Sequence, residues 1–155
     1  MHHFGLGLSR CLWAAISLGL FGCTTTGGSN RSSNPIIGAW FVKDAAAPFP
    51  YHMYVFNADG TMQQANPDAG DKTSSDSDGK DIWVAHGKTI RGKWVEVTAD
   101  RVTRQFIGRG ELSFEIVANG NRFSGPSVFQ FYDVDGKLAE GPINTLLSGE
   151  RVTLP

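Results

Sequence analysis

The run Glu111-Leu112-Ser113-Phe114-Glu115-Ile116 constrains this chain more than any other stretch. Leu, Phe and Ile recur at every second position, with Glu, Ser and Glu between them. Successive side chains of a strand point to opposite faces, so this pattern builds a strand with one dry face and one wet face. The run continues into Val117-Ala118-Asn119-Gly120-Asn121. Asn-Gly tolerates the two positive φ angles of a tight hairpin turn. The partner strand then carries Phe123, Gly125, Phe129 and Phe131, again mostly at alternate positions.

The same punctuation governs the chain from residue 36 onward. Asn57-Ala58-Asp59-Gly60 predicts a turn between strands at Tyr51–Phe56 and Thr61–Asn66. His86-Gly87-Lys88 separates Ile82–Ala85 from Thr89–Val97, and Asp133-Val134-Asp135-Gly136 makes another turn. A last short strand, Arg151–Leu154, is expected after Gly149. No amphipathic helix of useful length is present, since Ala45-Ala46-Ala47 runs into Pro48 and Pro50. The expected fold is all-β: an antiparallel up-and-down meander of about eight strands. Closing such a sheet into a barrel removes its exposed edges. An interior of this size is either packed with side chains or open to one small ligand.

The beginning of the chain has a different character. After Arg10 comes CLWAAISLGLF, residues 11–21, which carries no charge. That is too short to cross a bilayer, which needs about 20 residues, but it suits the apolar core of a secretory signal. It ends at Leu20-Phe21-Gly22-Cys23, which resembles the lipobox of bacterial lipoproteins. The resemblance implies cleavage of residues 1–22 and a diacylglyceryl group on Cys23. Residues 23–35 would then form an acylated, flexible tether, rich in Thr, Gly, Ser and Asn and without apolar periodicity. The implied place is the cell envelope, anchored to the bilayer through Cys23. Thr24 after the cysteine points to the outer membrane if the cell is Gram-negative.

Cleavage before Cys23 leaves one domain of ordinary size, residues 36–155. Cys11 departs with the signal and Cys23 is acylated, so no disulfide holds the fold and the core must do so. The whole chain has a net charge of −1, with no basic excess of the kind nucleic-acid binding requires. Acidic residues gather between Asp59 and Asp81, basic ones between Lys88 and Arg109. These are read as solvated outer faces of neighbouring hairpins, or as a basic surface for an anionic partner.

Ile36-Ile37-Gly38-Ala39-Trp40 resembles the Gly-x-Trp opening of lipocalin-like barrels, in which the Trp plugs the closed end. Val55–Thr61, Ile82-Trp83, Phe123-Ser124-Gly125 and Ser148–Val152 are similar to pieces of uncharacterised lipocalin-like domains in secreted bacterial proteins. The likeness spans residues 36–153 and implies a barrel closed by Trp40.

Catalytic patterns are missing. Only His52 and His86 follow the signal, and no nucleophile elbow, HExxH or P-loop occurs. No cofactor is implied. His52 alternates with Tyr54 and Phe56, which points it inward as a candidate for a polar ligand group. Arg104 shares a face with Val102 and Phe106 and is a candidate anchor for an anionic group if that face is interior. Trp40, Tyr54, Phe56, Trp83, Phe106, Phe129 and Phe131 either fill the barrel or line a pocket. Ile90, Gly92 and Trp94 share a face with Glu96, which leaves the facing of that strand open. The Asp-rich stretch 66–81 is read as a mobile loop at the barrel mouth, a lid, or a supplier of oxygen ligands for calcium.

The leading expectation is therefore a lipid-anchored barrel binding a small apolar or amphipathic molecule. A structural lipoprotein with a filled barrel, binding an envelope component on its outside, is the alternative. An isomerase or cyclase stays open only through a shared His and Arg interior. Cavity volume discriminates between the first two. A void of a few hundred Å³ walled by Phe and Trp favours a binder.

Overall fold

A computed structural model describes residues 33–155. The signal, Cys23 and the tether to residue 32 lie outside the described residues. Nine strands follow one another: β1 (Gly38–Asp44), β2 (Tyr51–Phe56), β3 (Thr61–Ala65), β4 (Ser74–Asp76), β5 (Gly79–His86), β6 (Thr89–Asp100), β7 (Phe106–Asn119), β8 (Arg122–Asp133) and β9 (Leu138–Arg151). Eight of them pair antiparallel in chain order, and β9 returns to pair with β1, closing an up-and-down barrel. The extra strand, β4, pairs with the far end of β6, Ser74–Asp76 against Asp100–Thr98. The fold class expected from the sequence is thus the one observed.

Local chemistry explains the strands that were legible. In β7 the residues Leu112, Phe114, Ile116 and Ala118 are buried, while Ser113, Glu115 and Val117 face out. The Asn119-Gly120 turn brings Asn119 opposite Arg122, with Gly120 at φ 61°. Gly60 and Gly87 supply the positive φ angles of the turns joining β2 to β3 and β5 to β6.

Two expectations need correction. The last strand is not the short segment 151–154 but the long β9, fourteen residues that start at Leu138. Gly141-Pro142 hid it, because proline cannot donate to a ladder. The pair sits where the register between β8 and β9 shifts, so the missing donor falls at a bulge. The stretch 66–81 is likewise not one loop, since it contains β4 and the first residues of β5.

The two ends of the barrel differ. One end has the tight turns at 57–60, 87–88 and 120–121 and is crossed by residues 34–37. Trp40 is wholly buried there, and its Nε1 donates to the Ile36 carbonyl at 2.7 Å. The Arg151 guanidinium lies 4.3 Å from the centre of the Trp40 ring and donates to the Ile37 carbonyl at 2.7 Å and to that of Pro35. The other end carries the connections 45–50, 66–73 and 101–105.

Outside, Arg91 pairs with Glu115 at 2.6 Å, Arg109 with Glu111 at 2.7 Å, and Lys93 with Glu111. Much of the basic stretch 88–109 is therefore met by β7 carboxylates along the β6–β7 hairpin. Arg101 reaches Asp68 at 3.0 Å, tying the basic stretch to the acidic one.

Candidate functional site

Inward-facing side chains change character halfway along the barrel. Toward the closed end they are Phe56, Trp83, Ile90, Phe114, Ile116 and Phe123, all buried around Trp40. Inward glycines make room for the large rings. A Cβ on Gly92 would fall 2.3 Å from the Phe114 ring, and one on Gly149 2.3 Å from that of Phe123. Trp94 Nε1 donates to the Tyr54 hydroxyl at 2.9 Å, across the interior. Beyond that bond the inward positions turn polar and space opens.

The open half encloses a cavity of about 480 Å³. Trp94, Leu112, Phe129, Phe131 and Ile143 form apolar wall, while Asp44, His52, Glu96 and Thr98 bring polar groups to it. Residues 46–49 and Asp68–Asp76 border its mouth.

A relay from the backbone sets the histidine. The Gly79 N–H donates to Gln64 Oε1 at 2.9 Å, which leaves the Gln64 amide nitrogen to donate to His52 Nδ1 at 2.8 Å. Nδ1 is therefore an acceptor, and the proton of the neutral ring is on Nε2. Burial holds the His52 pKa below its usual value, against the pull of the Asp44 carboxylate and the nearby Phe49 carbonyl. The Phe49 carbonyl pulls on the Nε2 proton without the geometry of a full hydrogen bond, and no other acceptor reaches it, while the residue is buried. Thr98 Oγ1 is buried without a partner as well. Buried polar groups are nearly always bonded, so orphans at a cavity wall are open to a water or to a ligand's polar atoms.

Carboxyl groups dominate the charge. Asp44 is spoken for, accepting from the Ala46 N–H at 3.0 Å and the Thr145 hydroxyl at 2.6 Å. Glu96 is 9% exposed, and no Lys or Arg pairs with it among the described residues. Burial, reinforced by Asp76 and Asp68, pushes its pKa up to about 8. Asp81, facing inward between Met62 and Trp94, is pushed to about 8 by burial and by Glu96. Burial together with Asp44, Asp81 and Glu96 drives the Tyr54 hydroxyl far above its usual range. No Lys or Arg lines the cavity.

The loop beside the mouth is internally braced. Asp68 accepts from the Ser75 hydroxyl at 2.8 Å and the Asp76 N–H at 3.1 Å, besides Arg101. Asp71 accepts from Thr73 and Ser74. These carboxylates serve turn and loop structure, and no cluster of three metal-ligating side chains occurs among the described residues.

Of the residues singled out from sequence, the structure brings His52, Phe129 and Phe131 to the cavity. Trp40, Tyr54, Phe56 and Trp83 lie instead in the packed core. Arg104 is not interior: it occupies the exposed turn between β6 and β7 with φ 60°, and Phe106 beside it is 51% exposed. The shared face of Val102, Arg104 and Phe106 fails because the strand has already ended at Asp100. Glu96, Thr98 and Gln64 are not among the sequence candidates, and Asp81 enters there only within the Asp-rich stretch considered for calcium. Glu96 and Thr98 continue the inward parity of Trp94, which was the available signal, but a carboxylate on that face reads as evidence against burial.

No protein-family model, curated protein or solved structure matches this chain. A barrel of this kind hosts many functions, so function has to be argued from the cavity.

Proposed function

We propose that this is a lipid-anchored envelope protein whose barrel holds one small amphipathic molecule in its open half. The observation that carries the reading is the cavity itself. Its volume of about 480 Å³ lies in the range of small-molecule sites, with aromatic walls and a few convergent polar groups. The unpartnered His52 Nε2 and Thr98 Oγ1 support it, because a ligand's polar atoms would complete them. A packed closed end supplies the rigid frame that such a pocket needs.

The binding half of the proposal is tested by titrating the protein with the fluorescent apolar probe N-phenyl-1-naphthylamine. Saturable, single-site enhancement is expected, and it should be lost in Ile143→Trp, which fills the cavity. Absence of saturable binding would turn the reading toward the structural alternative, a barrel acting through its outer surface. The anchoring half rests on the likeness of Leu20–Cys23 to a lipobox. Cys23→Ser should abolish acylation and membrane fractionation, and wild-type protein free of lipid by mass spectrometry would refute it.

A further inference from the structure

The cavity's charge narrows its ligand further. Glu96 on β6 faces Gly110 on β7 in register. A Cβ on Gly110 would meet both Glu96 Oε1 and the Phe129 ring at 2.8 Å, so the missing side chain lets a carboxyl oxygen and an aromatic ring converge on one point of the wall. Trp94, two residues before Glu96 and on the same face, has its ring centre 6.3 Å from that of Phe129 and is tilted 52° to it. A carboxyl group beside two aromatic rings is the arrangement that receives an organic cation, by ion pairing and by attraction to ring faces.

We propose that the occupant is a cationic amphiphile, an amine on an apolar body, whose ammonium group is received by Glu96 with Trp94 and Phe129. This rests on the reading of the cavity as a binding site and names the chemical class it takes. Thr98 Oγ1 and His52 Nε2, both buried and unpartnered, add polar atoms to the same cavity. Thr98 can accept a further N–H, while the His52 Nε2–H suits a second, neutral acceptor on the ligand. An anionic head group is disfavoured, since Asp44, Asp76 and Glu140 line the cavity along with Glu96, no Lys or Arg lines it, and only Asp68 among its carboxylates has a basic partner, Arg101. A cation also offsets the cost of Glu96: burial favours its protonated form, and an adjacent ammonium favours the carboxylate as half of an ion pair.

The test uses three probes with one hydrocarbon chain: decylamine, decan-1-ol and decanoate, titrated at pH 7 by calorimetry. Decylamine should bind tightest, by roughly tenfold over the alcohol, with decanoate weakest. Glu96→Gln keeps the shape of the side chain and removes its charge. It should bring the ratio of amine to alcohol affinity close to one. Decanoate or decanol binding as tightly as the amine would overturn the cationic inference while leaving a binding cavity in place. An amine preference that survives Glu96→Gln would overturn the role of Glu96. If none of the three binds, the binding reading itself falls, and this inference with it.

Discussion

The two halves of the barrel are built from the same strands and serve opposite ends. In the closed half Trp40 sits under Arg151, touches Phe123 at 5.1 Å between ring centres, and has no exposed surface. Every inward ring has a neighbour, and the hydrogen-bonding atom of Trp40 is satisfied. In the open half the inward positions carry an unpartnered histidine nitrogen, an unpartnered hydroxyl and carboxyl groups without cations. Such groups cost stability, by about 1–3 kcal/mol for each buried polar atom left unbonded. The closed half offsets that cost, so one barrel keeps both a rigid core and an unfinished interior.

The contrast breaks most visibly at Trp40. Trp40→Ala should cost about 3–5 kcal/mol, a large share of a small domain's stability. Urea denaturation of a chain beginning at Asn34 reads it, and a loss below about 1 kcal/mol would mean that this end is not the anchor. Gly92→Ala attacks the same half from the other direction. Its methyl group would land on the Phe114 ring, and overpacking of that kind costs about 1–3 kcal/mol. A melting temperature unchanged in that variant would argue that the closed half is looser than described.

The open half predicts a pH effect. Glu96 and Asp81 have folded-state pKa values near 8, above those of the unfolded chain. Their contribution is therefore fully favourable below the ordinary carboxyl range and is lost as pH rises through about 8. Above pH 6.5, beyond the range in which the lowered His52 pKa adds stability as pH rises, denaturation midpoints should fall up to about pH 9, and Glu96→Gln should flatten that fall. At pH 9 the variant should be more stable than wild type by on the order of 1–2 kcal/mol, less than a full shift implies because water reaches the open cavity. A wild-type profile flat over this range would show that neither group is held protonated.

Smaller effects sharpen the comparison. Phe131 borders the cavity instead of packed neighbours on every side, so Phe131→Ala should cost only about 1 kcal/mol of stability while weakening probe binding. Equal losses of stability at Phe131 and Trp40 would erase the distinction between the halves. Least of all is Asp68→Ala. Its pair with Arg101 is about one-third exposed, worth about 0–1 kcal/mol, so global stability should hardly move. Faster proteolysis within residues 66–78 is the expected sign, because Asp68 also holds Ser75 and Asp76.

Residues 111–116 show why the closed half was easier to read. Alternation along one strand and a turn such as Asn119-Gly120 are local properties, visible in a window of ten residues. His52 was assigned inward from the same alternation with Tyr54 and Phe56, and inward it is. The error at Arg104 came from extending that alternation past the end of β6, where Asp100 accepts from Val102 and Thr103 and turns the chain. Glu96 was discounted for the converse reason. A carboxylate beside Trp94 looks like a surface residue until Gly110 and the Phe129 ring are seen to enclose it.

By itself the sequence determined the strand period, the hairpin turns, the lack of an α-helix among the described residues and the Gly-x-Trp start, because each depends on neighbours along the chain. Only the tertiary structure decided which end is filled, how deep Glu96 lies, and which nitrogen of His52 bears the proton. Those properties arise between strands distant in sequence. Gly79 orders Gln64, Gln64 orders His52, and β6, β7 and β8 together close the wall around Glu96. Barrel closure sets such distances, and residue order along one strand cannot encode them.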